Sequence, residues 1–264
     1  RVGKTGVVLM EDSETNETHV EFVEGTQFES GIKSSHLLTD KDKGVAVLDE
    51  PLVLIVSSPV PNIRRIQNIL EHVVKSKRSL LIIAPLEQQP FATLLANKVK
   101  GNIKVNIVDP PGFGPTKADT LEDLAILTGA TVVDEELGDD LDLLDVNVLG
   151  EVLKSVTDAK NTILQIKDSN LDLTERIEEV KVKIDKETNA YIKIKLEKRL
   201  SMLTGKVGVI KVGADSAVEL KEKKDRVDDA LHATKAALIE GIVAGGGIAL
   251  LNASNKIKPK DDGY

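Results

Sequence analysis

Short apolar runs and helical stripes alternate through the first half of the chain. Short apolar runs at 6–10 and 19–23 read as strands flanking an acidic turn at 11–17, the pattern of a β-hairpin. Residues 51–56 form an unbroken apolar run, as in a strand buried on both faces. In 62–76, Ile63, Ile66, Ile69, Leu70, Val73 and Val74 recur at helical spacing and make one stripe. The alternation then repeats. A buried strand is predicted at 79–84, and a helix at 90–100, opened by Pro90 and carrying Phe91, Leu94, Leu95 and Val99 on one side. A strand at 103–108, a helix at 120–128 and a strand at 131–133 follow. Strand–helix–strand order predicts parallel pairing with right-handed crossovers, because a helix must carry the chain back between parallel neighbours.

The pattern changes after Asp134. Extended runs at 146–156 and 162–166 predict a β-rich patch, and the charged stretch 173–203 predicts a helical hairpin bent near Thr188 and Asn189. Its apolar positions are Ile177, Val180, Ile184, Ile194, Leu196, Leu200 and Leu203. A strand at 207–212 lies between Gly205 and Gly213. A long helix at 218–240 follows, with Val227, Leu231 and Leu238 on one face and Gly241 as its stop. Gly245, Gly246 and Gly247 precede an apolar helical start at 248–251, and the tail 256–264 is polar. The first strands and the region from Val207 onward resemble each other more than either resembles the α/β middle. One domain inserted between two halves of a smaller one accounts for this, with Gly25 and Gly205 at the crossing points.

Composition narrows the function classes. The 264 residues are 41% hydrophobic and 30% charged, the balance of a globular protein, and only 2% aromatic with no Trp, so the core is aliphatic. A net charge of −8 gives no general attraction for nucleic acid or an anionic membrane surface. The absence of cysteine removes disulfides, thiolate nucleophiles and Cys-based zinc sites, and fits a reducing compartment. No apolar run approaches the roughly 20 residues needed to span a bilayer. The start at Arg1, without an initiator Met, reads as part of a longer chain.

Enzyme chemistry is sparse. His19, His36, His72 and His232 have no partners at metal-ligand spacing, so no metal site is expected. Residues 110–114 read as a rigid turn displaying Phe113. Asp139 and Asp140 read as a solvated turn. Asp228 and Asp229 lie mid-helix beside an apolar face, open to a charged-surface reading or to general acid–base work. The glycine triplet before a helix could admit a phosphate at free N–H groups, so a small α/β nucleotide-binding enzyme stays open.

Residues 222–250 read EKKDRVDDALHATKAALIEGIVAGGGIAL. This run resembles the signature of group I chaperonins, the GroEL type. Similarity continues upstream in order through 23–28 (VEGTQF), 62–64 (NIR), 80–84 (LLIIA), 92–94 (ATL), 111–114 (PGFG), Tyr191, Leu196, Arg199-Leu200 and 211–213 (KVG). The resemblance implies an α/β apical domain, its parallel-rich sheet flanked by helices and a helical hairpin, inserted in a small α+β intermediate domain. Residues 1–24 would be the first part of the intermediate domain, 25–205 the apical substrate-binding domain, 206–240 the second intermediate part and 241–264 an equatorial stub. Gly25, Gly205, Gly208 and Gly241 would serve as hinges.

The resemblance also implies function. The full-length parent would be an ATP-dependent folding machine of seven-membered rings, in the cytoplasm of a bacterial-type cell or an organelle matrix or stroma. Asp229 matches the residue that activates water for ATP hydrolysis, and Gly245, Gly246 and Gly247 match glycines beside the nucleotide. The family's Gly-Asp-Gly-Thr-Thr phosphate and magnesium motif is absent from this sequence. ATP and Mg are therefore expected in the parent and not in this fragment, expected to be a monomer or weak oligomer without its own ATPase. Substrate capture matches Ile32, His36 and Leu37 on an extended segment, Ile66, Gln67 and Leu70 on a first helix, and Phe91, Leu95 and Ala96 on a second. Together they would form an apolar groove for unfolded polypeptides and for the mobile loop of a GroES-type co-chaperonin. Departures accompany the match. His36 and Gln67 stand where large apolar residues are usual, Ser30 and Ala217 replace a charged apical–intermediate contact, and Lys206 replaces a hinge glycine.

Overall fold

The computed structural model describes residues 7–112, 114–166 and 173–254. Arg1, Phe113 and the tail 256–264, discussed above, lie outside them. The described residues form two compact units, one of 7–9 with 21–209 and the other of 10–20 with 210–254. The chain begins with β1 (Val7–Asp12), β2 (His19–Phe28) and β3 (Ala46–Asp49).

The parallel strands follow. β4 (Leu52–Val56) leads through a 3₁₀ turn at Ile63–Ile66 into α1 (Gln67–Ser76), then β5 (Ser79–Ile83), α2 (Gln88–Val99), β6 (Lys104–Val108), α3 (Pro115–Thr128) and β7 (Val132–Val133). The sheet order is β6-β5-β4-β7, all parallel, with β8 (Gly150–Glu151) antiparallel to β4. Leu52 pairs with Leu80, and Leu80 with Val105. The unbroken apolar runs serve both faces, since successive residues of a strand point opposite ways. Leu54, Val56, Leu80 and Ile82 pack with Ile69 and Val73 of α1 and Leu94 of α2. Val53, Ile55, Leu81 and Ile83 pack instead with Leu121 and Leu124 of α3 and with Leu164 of the second sheet. Each such side chain contributes about 1.5–3 kcal/mol of burial.

Two predicted helices differ in extent. The stripe at 62–76 breaks at Ile66 (φ −117°, ψ 18°), where a 3₁₀ turn capped by Asn62 hands over to α1. α3 starts at Pro115, five residues before the apolar spacing begins, because a first turn needs a proline-compatible φ rather than an apolar stripe.

The second sheet uses β9 (Lys154–Thr157), β10 (Thr162–Gln165) and β11 (Lys206–Val212), in the order β1-β11-β2-β10-β9-β3. This overturns the hairpin expected at the start: β11, from the far end of the sequence, lies between β1 and β2. A period of two identifies a strand but does not encode its partner. Gly25 of β2 and Gly205 lie side by side, with the Gly25 N–H 3.5 Å from the Gly205 carbonyl oxygen. A Cβ on Gly205 would fall 2.7 Å from the Gly25 oxygen, so no other residue fits without rearrangement.

Between β10 and β11 runs the expected hairpin, α4 (Thr174–Lys186) and α5 (Ala190–Leu203), with Asn189 capping α5. Val180 and Leu203 close over Leu127 and Ile166. Wholly buried Asp123 of α3 receives Arg199 from α5 and Arg176 from α4.

In the other unit, α6 (Ala217–Glu240) is capped by Ser216 and ends at Gly241, and α7 (Ile248–Ser254) follows. Lys223 donates to the Gly213 carbonyl oxygen at 3.1 Å, and Lys224 pairs with Asp12. Val227 and Leu231 are half-buried, but Leu238 is 54% exposed. No helix of the described residues is long and apolar enough to cross a membrane.

Candidate functional site

α1 and α2 lie on the same face of the parallel sheet, and a groove of about 360 Å³ runs between them. Its floor is apolar: Ile63, Leu70 and Val74 from the α1 side, Leu94 from α2, and Ile103 just before β6. Val74 is half exposed, and Leu70 is partly buried against the core. The lips are polar, with Gln67, Glu71 and Lys75 on one side and Thr93, Asn97 and Asn102 on the other. Parallel topology produces this arrangement: β4, β5 and β6 step one way across the sheet, so their right-handed crossovers put α1 and α2 on one face, while α3, returning to β7, lies on the other.

The predicted capture residues separate into three groups. Gln67 and Leu70 line the groove. Phe91 and Leu95 are half-buried on the opposite flank of α2, facing the segment that precedes β3. There the Lys33 ammonium stands 5.6 Å from the centre of the Phe91 ring while pairing with Asp109 at 2.6 Å. Lys98, one turn on, donates to the carbonyl oxygens of His36 (3.0 Å) and Leu38 (3.3 Å), which fixes the segment to α2. Burial lowers the Lys98 pKa from its ordinary value. Ile32 is half-buried, while His36 and Ala96 are exposed.

Leu37 and Ile66 are corrections. Both are core residues, 0% and 1% exposed, and present no apolar surface to a ligand. Leu37 belongs to a 3₁₀ turn whose alternation with exposed His36 turns its side chain inward. Ile66 sits at the break before α1, one position before Gln67, on the side facing the sheet.

Sequence reading missed Ile63, Val74, Thr93, Asn97, Asn102 and Ile103 as groove residues. A signal for four of them exists. Gln67, Leu70 and Val74 step by three and four along one flank of α1, Thr93 and Asn97 by four along α2, and Ile63 carries the first spacing back into the 3₁₀ turn. Asn102 and Ile103 come from the turn after α2, where no periodicity applies.

The expected ATP residues belong to the smaller unit. Asp229, on α6, and Gly245, Gly246 and Gly247, before α7, are all exposed. Gly208 is an interior, buried position of β11. The described residues hold no group of three or more His, Cys, Asp or Glu side chains arranged for a metal ion.

The family model described as TCP-1/cpn60 chaperonin family matches the chain over residues 1–264.

Proposed function

The chain belongs to the TCP-1/cpn60 chaperonin family, and we propose that it is the polypeptide-capturing part of a chaperonin subunit, with the α1–α2 groove as the capture surface. The observation that carries this reading is an apolar floor left open between two helices, one of which buries Ile69 and Val73 beneath it. Non-native chains expose apolar surface, and covering it yields about 25 cal/mol per Å² without requiring a particular sequence. A mobile loop of a GroES-type co-chaperonin would occupy the same groove and compete with clients. On this reading 25–205 is the apical domain, 1–24 and 206–240 are parts of the intermediate domain, and 241–264 begins the equatorial domain. ATP turnover, ring assembly and residence in a cytoplasm or organelle matrix are then properties of the full-length parent, to which this chain contributes Asp229 and the glycine triplet.

Binding of a chemically denatured client, followed by fluorescence anisotropy, tests the proposal. The wild-type chain binds denatured client and not its native form. Leu70→Ser weakens that binding about tenfold, equivalent to ~1.4 kcal/mol. Equal affinity for native and denatured client, or an unchanged Kd for Leu70→Ser, rejects it. A nucleotide-binding enzyme would instead show saturable heat on titration with ATP.

A further inference from the structure

The larger unit carries two exposed apolar patches of opposite charge. The first is the loop after β7, where residues 134–145 hold seven Asp or Glu and neither Lys nor Arg. Asp134 opens one 3₁₀ turn by accepting from the Glu136 N–H at 3.0 Å, and Asp140 opens the next by accepting from the Asp142 N–H at 2.9 Å. Arg65 pairs with Glu135 of the first turn and Asp142 of the second, while Leu141 and Leu144 anchor the loop in the core. Each turn ends in a leucine that this frame holds out in water: Leu137 is 85% exposed and Leu143 78%. The second patch is the tip of the α4–α5 hairpin. Residues 181–195 hold five Lys against two Asp or Glu, a net +3 within a chain of net −8. Lys183, Lys186 and Lys193 form no ion pair among the described residues. Tyr191 and Ile194, one turn apart on α5, are 66% and 55% exposed, and the Lys195 ammonium stands 4.6 Å from the centre of the Tyr191 ring.

Within one copy these patches do not meet. The acidic loop packs on the core cluster beneath α1 and α2, whereas the hairpin packs on Leu127 of α3, and α3 covers the opposite face of the parallel sheet. Complementary patches on opposite sides suit a head-to-tail contact between copies. A two-fold contact would instead set each patch against itself, with like charges opposed. We propose that the acidic loop of one copy docks on the hairpin tip of a second copy of this chain. Leu137 and Leu143 cover Tyr191 and Ile194, and the loop carboxylates meet the tip lysines around them. The leucines supply the apolar centre, and the charges form a rim that selects the partner. No groove residue takes part, so the proposal goes beyond the capture reading and does not rest on it.

Sedimentation equilibrium of the whole chain tests this. The average mass of the wild type rises with concentration, and raising salt from roughly 0.05 M to 0.5 M weakens the association, because the rim charges are screened. Leu137→Ser/Leu143→Ser breaks the loop side and Tyr191→Ser/Ile194→Ser the tip side; each weakens self-association at least about tenfold. All four side chains are exposed, and circular dichroism verifies the fold of each variant. The two variants are then mixed. The first keeps an intact tip and the second an intact loop, so they associate one to one with wild-type affinity and grow no further. A wild type that stays monomeric to about 0.5 mM overturns the proposal, as does association that ignores salt. Association that persists in either variant overturns it too, and assigns the contact to other exposed residues, such as those around α7. A mixture that associates no better than its components has the same force. Both double variants bind denatured client as the wild type does, so loss of capture and loss of this contact are read separately.

Discussion

Asp123 joins two arginines from different helices in the larger unit. It is wholly buried, and it accepts from Arg199 Nη2 at 3.0 Å and Arg176 Nε at 2.9 Å, with a further contact from Arg199 Nε. Arg199 also reaches Asp119 at 2.7 Å, and Arg176 reaches Glu122 at 2.7 Å. Burial alone would lower the Arg176 pKa, but the hydrogen bonds and charges of Asp123 and Glu122 outweigh it and raise the value. The partners differ in exposure, and exposure decides which one matters. Asp123→Asn leaves a buried guanidinium facing an amide, and the expected loss is about 3–5 kcal/mol in urea unfolding. Asp119→Asn removes a carboxylate that is 44% exposed, and there the expected loss is below about 1 kcal/mol. Equal losses for the two variants would contradict the assignment of Asp123 as the anchor of the helical hairpin.

Among the elements, α1 ends in strain that can be tested. Its last turn closes on Lys77 at φ 56° and ψ 22°, a left-handed conformation that glycine adopts freely and lysine does not. Relief of about 1–2 kcal/mol of steric cost, less the ~0.5–1 kcal/mol glycine adds to the unfolded chain's entropy, leaves Lys77→Gly slightly stabilising. A higher thermal midpoint is expected for this variant, and a lower one for Lys77→Val. The elements are also where sequence reading succeeded most. β4, β5 and β6 announce themselves as apolar runs because both their faces are covered, and α4–α5 by its capped bend. β2 and β11 could not be matched as partners, since the residues that pair them lie far apart in sequence. The groove was legible only in part. Gln67 and Leu70 fall on a helix flank visible in the spacing, whereas Leu37 and Ile66 look equally apolar and turn inward at 3₁₀ turns that no helical template describes. Lys33 and Lys98, which hold the 32–38 segment, were invisible because their partners, the Phe91 ring, Asp109 and the backbone oxygens of His36 and Leu38, all lie far from them in sequence.

For the whole molecule, the contrast between the units predicts uneven stability. The larger unit encloses β4, β5 and β6 between packed faces. In the smaller unit, Ile242, Val243, Leu250 and Leu251 are between 62% and 87% exposed around α7. Local opening is governed by such differences in buried apolar contact. Native-state hydrogen exchange should therefore find the amides of α7 exchanging orders of magnitude faster than those of β4–β6; comparable protection factors would refute this.

The contact between Gly25 and Gly205 has a practical outcome. The two glycines bracket some 180 residues and lie side by side, so the ends of that segment need no spanning linker. On the capture reading, residues 25–205 can be exchanged for the matching segment of another family member by two splices at these glycines, and such chimaeras test whether this segment dictates the choice of client.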